Sequence, residues 1–297
     1  MAFGHAGELA ALGAALCFTV TALAFESAGR RVGSIPVNLI RLVFALAILT
    51  LVQTLRGHPP YPLHAAPAAW RWLLASGLVG FAFGDLCLFR AFVMIGSRLA
   101  VLVQALVPAL ASVLSYFVTG ETLGARDLLG MSLTVGGIAW VVLERHDSSA
   151  TSTRPSALGI LLAFGGAVGQ ATGLVLSKRG LEFCEPFPAN QIRITAGILG
   201  VAAFLTATRR WKNLAAALRD PSAMKRLLVG ATFGPFLGVS LSLFAVHATK
   251  AGVAAALIAL TPVMILPAVV ARGRDRITLR GAAGAAFAVA GAVILFL

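Results

Sequence analysis

The sequence predicts an all-α integral membrane protein, with ten transmembrane helices arranged as two inverted five-helix repeats. Three observations predict it: a composition too apolar for a water-facing surface, ten apolar runs of spanning length, and an internal duplication. Of the 297 residues, 59% are hydrophobic and only 12% charged. Soluble domains carry about 25% charged residues.

A spanning helix needs about 20 mostly apolar residues. Such runs fall at about 8–28, 35–55, 71–93, 97–118, 126–144, 157–177, 188–208, 226–248, 252–271 and 279–297. Barrel strands would alternate apolar and polar residues, and Leu99 to Phe117 shows no alternation. A helix satisfies its backbone hydrogen bonds within one segment, as lipid demands. The longest connections, about 56–70, 145–156 and 209–225, are too short to hold a soluble domain. The N-terminus lacks a positive region and a cleavage site, so the first run reads as a retained helix.

The duplication carries two registers. Pro36, Asn38, Ile40 and Arg41 return 152 positions later as Pro188, Asn190, Ile192 and Arg193. From Leu73 on the offset is 154: Gly80, Gly84, Ala105 and Pro108 return as Gly234, Gly238, Ala259 and Pro262. The same register relates Gly130 to Gly284 and Gly137 to Gly291. The repeats are expected at 8–144 and 157–297, joined by a hydrophilic linker at 145–156. Five helices is an odd number, so the second repeat enters the membrane from the opposite side. Many carriers use that architecture for alternating access.

The 24 Lys and Arg exceed the 11 Asp and Glu. They sit between apolar runs, where they meet lipid phosphates and set orientation. No basic stripe with interleaved aromatics exists, so nucleic acid is not an expected partner. Odd-numbered loops hold fifteen Lys and Arg against six in the even-numbered ones. The positive-inside rule then places both termini outside.

Polar groups at membrane depth usually face a bundle interior or a wet cavity. Asp85 is the deepest carboxylate, and Phe81 shares its helix face with Gly77, Gly84 and Leu88. Asp85 either binds a substrate ammonium or a coupling proton, or it forms a buried ion pair with Arg41 or Arg90. Its repeat counterpart is Val239. Arg41 and Arg193 either bind a carboxylate, which guanidinium fits well, or snorkel to the interface. Asn38 and Asn190 sit one turn earlier and carry the same alternatives. Gln104 and Gln170 either hydrogen-bond a substrate or join helices. His247 and Glu26 read as interfacial. Pro108 and Pro262 lie mid-run, where proline deletes a hydrogen bond and kinks a helix. They are candidate hinges. Gly165, Gly169 and Gly173 form a ridge suited to close helix contact.

Cys17, Cys87 and Cys184 are odd in number and show no CxxC spacing, so neither a disulfide framework nor a zinc site is expected. No Walker sequence, HExxH or GxSxG occurs. These absences point away from ATP hydrolysis, enzyme chemistry and cofactors.

Ala91, Ser97, Ala100, Pro108, Gly120, Glu121, Gly130 and Gly136, with Ala245, Ala254, Pro262, Gly284 and Gly291 in the second half, resemble EamA domains. The chain is similar throughout to the ten-helix, two-domain branch of the drug/metabolite transporter superfamily. The second copy departs from the pattern, having Arg274 and Asp275 where Gly-Glu would stand. The first helix has Cys17, Phe18 and Thr19 where a tryptophan is common. The resemblance implies an ATP-independent carrier of amino acids or related metabolites, with helices one to four of each half lining a cavity. By that likeness Asp85, Gln104, Gln170, Asn38 and Asn190 face the cavity. It also implies termini in the cytoplasm, against the loop charges.

The expected function is export of small metabolites across the cell (inner) membrane, with amino acids bearing large apolar side chains the leading substrates. The alternative is proton-coupled efflux of cationic drugs through Asp85. The partners are a small-molecule substrate and the lipid bilayer. Both halves lie in one chain, so a monomer suffices.

Overall fold

The computed structural model describes residues 5–144, 156–261, 263–264 and 279–296. Pro262, the Arg274–Asp275 pair and nearly all of the predicted linker lie outside them. Among the described residues every regular element is helical.

The first half comprises α1 (Ala6–Val32), α2 (Ser34–Leu55), α3 (Pro67–Gly77), a π-helical segment π1 (Leu78–Gly84), α4 (Asp85–Gln104), α5 (Val107–Thr119) and α6 (Ala125–Glu144). The second comprises α7 (Ala157–Gly180), α8 (Pro186–Ala207), a short α9 (Trp211–Leu218), α10 (Pro221–Ala231), π2 (Thr232–Gly238), α11 (Val239–Ala248), α12 (Ala251–Ile258) and α13 (Leu279–Phe296). Gly33 alone joins α1 to α2, at φ +84°. That is a left-handed conformation glycine adopts without steric cost.

Six described helical stretches are long and apolar enough to cross a membrane: Ala6–Gly29, Ile35–Leu55, Pro67–Ala91, Ala157–Gly180, Pro186–Ala207 and Pro221–Ala248. Val107–Thr119 and Arg280–Leu295 are shorter apolar helices. The third and eighth start earlier than expected, at Pro67 and Pro221, because proline suits a first helical turn.

The expected break between the third and fourth spans is helical in backbone, yet the chain does double back within α4. A Cβ placed on Gly166 would meet Leu88 Cβ at 3.2 Å and Gln104 Nε2 at 2.9 Å. A straight helix would part those two residues by about 24 Å. Pro108 is not a mid-helix kink. The helix lapses into a turn at Ala105–Leu106, and Pro108 stands in the first turn of α5, where its missing N–H has no partner to lose.

The duplication is visible in atomic contacts. The two π segments occupy repeat-related positions, Leu78–Gly84 and Thr232–Gly238. In each, a glycine-rich stretch meets the first helix of the other half. A Cβ on Gly159 of α7 would meet Met94 Cβ at 3.1 Å, and one on Gly7 of α1 would meet Ala248 Cβ at 3.1 Å. The repeat relates Gly7 to Gly159 and Met94 to Ala248.

Helices α6 and α13 pack antiparallel through glycine. A Cβ on Gly137 would lie 2.4 Å from Ala288 N and 2.6 Å from Gly284 O. One on Gly291 would lie 2.4 Å from Thr134 N and 2.6 Å from Gly130 O. Each contact is the other with the halves exchanged. In lipid, where apolar burial against a neighbour gains little over burial in acyl chains, such close backbone approach holds helices together.

Candidate functional site

The π segments position the site. A π turn carries one extra residue and shifts the carbonyl ladder, and such turns recur at functional sites. In π1, Phe81 O accepts from Asn38 Nδ2 at 3.4 Å and Gly80 O from Gln170 Nε2 at 3.5 Å. In π2, the repeat-related Pro235 O accepts from Asn190 Nδ2 at 2.8 Å. Each half thus ties its second helix to its own π segment by the same asparagine.

Asp85 opens α4 directly after π1 and is 6% exposed. Gln170 Nε2 donates to its Oδ1 at 2.7 Å. A terminal guanidinium nitrogen of Arg41 donates to its Oδ2. Arg41 Nε donates to Asn38 Oδ1 at 2.9 Å, one turn back on α2. The Arg41 guanidinium also sits 5.4 Å from the ring centres of Phe25 and Phe89. Both carboxylate oxygens and the guanidinium are engaged, as a charge at this depth requires.

Arg193 is 5% exposed. Its guanidinium lies over the Phe81 ring, 5.0 Å from the centre, and its Nε has no hydrogen-bond partner. Gly80 gives it room: a Cβ there would stand 3.7 Å from an Arg193 terminal nitrogen. Neither arginine snorkels.

Six of the eight predicted binding residues therefore converge: Asn38, Arg41, Phe81 and Asp85 from the first half, Gln170 and Arg193 from the second. Asn190 stands one turn from Arg193 but bonds to Pro235 and, at 3.0 Å, to Ser240 Oγ. Gln104 lies against Gly166, with Nε2 unpartnered. Of the two partners considered for Asp85, Arg41 takes it and Arg90 is exposed. Ser240 was not foreseen; only its place beside Val239, the counterpart of Asp85, marked it.

A second polar cluster joins the loop between α5 and α6 to the last turn of α7. Glu121, between α5 and α6, pairs with Lys178 and accepts from Ala251 N at 3.0 Å, so it caps α12. Burial pushes the Glu121 carboxyl up, but hydrogen bonds from Lys178, Ser115 and Ala251 N prevail and hold it below the usual range. Lys250 reaches Asp127 at 2.5 Å. Sequence had flagged Glu121 only within its Gly-Glu pair; Lys178 is brought to it by tertiary packing.

These features define a multi-pass membrane protein of two like halves around a buried polar centre that both halves build. The family model for the EamA-like transporter family matches residues 5–143 and again 157–297, and the chain belongs to that family. It is a membrane transporter of small metabolites or drugs, not an enzyme. A solved crystal structure of another protein is similar in fold, with a TM-score of 0.74 at 20% identity over 97% of this chain and 94% of that one. No curated protein matches the sequence.

Proposed function

We propose that the protein exports amino acids with large apolar side chains across the inner cell membrane, by alternating access between two inverted five-helix repeats. In this reading the repeats are 8–144 and 157–297, together crossing the membrane ten times. The observation that carries it is the shared centre: Asp85 of one half is held by Arg41 of its own half and Gln170 of the other. Rocking one half against the other remakes these bonds and opens the centre to alternate sides. The antiparallel run of α6 and α13 supports inversion, because equivalent helices of inverted halves must run oppositely. The turns at Ala105–Leu106 and Ala259–Leu260, beside Pro108 and Pro262, serve as hinges.

An amino acid suits a site that combines buried hydrogen-bonding groups with Phe81 and apolar walls. Cationic drugs suit it less, because both Asp85 oxygens are already engaged. Counterflow in proteoliposomes tests the reading. Saturable uptake of labelled phenylalanine or leucine against unlabelled internal substrate, without an ion gradient, is expected. Uptake of cationic dyes alone would transfer the function to drug efflux.

A further inference from the structure

The duplication supplies an internal comparison at the centre. In the first half, Asn38 and Arg41 bond to each other and Arg41 holds a carboxylate, Asp85. In the second half the same pair, Asn190 and Arg193, is open. Arg193 Nε has no partner and neither has Asn190 Oδ1, and both side chains are buried. The counterpart of Asp85 is Val239, which carries no charge.

The orientation of the Asn190 amide is settled by its neighbours. Pro235 O can only accept, so the NH2 group must face it and Oδ1 must face away. The chain thus presents a buried cationic donor and a buried neutral acceptor one helical turn apart. Asp85 bonds to Arg41 and also attracts Arg193 through space, so the three charges together leave the centre with one net positive charge.

We propose that Asn190 and Arg193 form the head-group site: Arg193 binds the substrate carboxylate and Asn190 Oδ1 accepts from its ammonium. Asp85 plays the substrate's part permanently in the first half, and Val239 leaves that part to the substrate in the second. A guanidinium pairs with a carboxylate in two parallel hydrogen bonds, and a buried acceptor recovers its lost solvation from an N–H donor. The inference rests on the carrier reading and specifies its substrate as a compound with adjacent carboxylate and ammonium groups. Phe81 stacks on the guanidinium and orients it.

The test uses full-length protein in lipid nanodiscs and proteoliposomes, with phenylalanine, phenylalanine amide and N-acetylphenylalanine as probes. Wild type should bind phenylalanine about tenfold tighter than either derivative. Val239→Asp gives Arg193 a carboxylate of its own and should weaken phenylalanine binding about tenfold or more. Arg193→Gln should lose binding. If Val239→Asp and Arg193→Gln bind and exchange phenylalanine as wild type does, the head-group site is overturned and the carrier stands. Equal handling of acid and amide overturns it likewise. Binding that needs Arg193 without any counterflow keeps the site and overturns the carrier. Neither binding nor counterflow by folded wild type overturns both.

Discussion

At the seam between α6 and α13 the two halves are interchangeable: Gly137 and Gly291 make the same contacts at the same distances. At the polar centre they are not. Arg41 holds Asn38 and Asp85, while its mate Arg193 holds neither Asn190 nor Val239. Gln170, which donates to Asp85, corresponds to Phe18, which packs on Gly238. Packing between the repeated halves uses each contact twice at this seam, once from Gly137 and once from Gly291, so divergence there damages two contacts. A charge pair is needed once. The second copy has Val239 in that place, and its Arg193 Nε and Asn190 Oδ1 are buried without a partner.

The largest effects should come at the seam, and they should be equal in the two halves. Gly137→Leu and Gly291→Leu each drive a side chain into backbone atoms that have nowhere to move. Overpacking of that kind costs about 3 kcal/mol or more, and neither variant should elute as a single species in detergent. Gly136 has open space at its Cβ position. Gly136→Ala should stay folded and gain up to about 1 kcal/mol from helix propensity. A Gly291→Leu variant as stable as wild type would break the symmetry of the seam.

At the centre the effects should be unequal. Asp85→Asn leaves the Arg41 guanidinium buried without a counter-charge and should destabilise the protein by about 3–5 kcal/mol. Transport should be abolished or uncoupled with it. Replacing both partners, Arg41→Met with Asp85→Leu, should restore most of the stability but not the flux. Val239→Asn in the other half should cost much less in a thermal-unfolding series. Wild-type flux in Asp85→Asn would remove that carboxylate from the mechanism.

Six of the ten expected spans and the duplication were legible because both are one-dimensional. Apolar runs are read along the chain, and Asn38–Arg41 with Asn190–Arg193 repeat at a fixed offset. The π segments were not legible. They depend on one extra residue accommodated in a turn, and Leu78–Gly84 differs in no local pattern from an α-helix. Hence Phe81 was chosen for the helix face it shares with Asp85, and its carbonyl, which receives Asn38, was missed. Which arginine takes Asp85 was open too. Arg90 is five residues along the same chain, but it faces outward, and α2 brings Arg41 in. The Glu121–Lys178 pair joins α7 to a loop of the other half, a separation no periodicity spans.

The Glu121 cluster should give a smaller, pH-dependent effect. Its carboxyl is held below the ordinary value of 4.5. A depressed carboxylate contributes stability above its unfolded pKa, and that contribution is lost as pH falls from about 4.5 through the folded value. Thermal unfolding in detergent from about pH 7 down to pH 3 should show this loss in wild type and a flatter profile in Glu121→Gln. The repeat-related positions to Glu121 and Lys178 are Asp275 and Glu26, two acids, so the same bridge cannot form in the second copy. A Glu121→Gln profile parallel to wild type would assign the acid sensitivity elsewhere.

The smallest effect belongs to Pro108. Both halves interrupt the helix at the same place, Ala105–Leu106 immediately before α5 and Ala259–Leu260 immediately after α12. In each half the interruption precedes the proline by two positions in sequence. In the first turn of α5 an alanine N–H would have no intrahelical acceptor, so Pro108→Ala neither restores a lost bond nor relieves a clash. Stability should change by less than about 1 kcal/mol. Exchange rates should stay within about twofold, against the tenfold that 1.4 kcal/mol on the barrier would bring. If counterflow by Pro108→Ala slows tenfold while binding is unchanged, the hinge resides in the proline itself and not in the turn that both halves share.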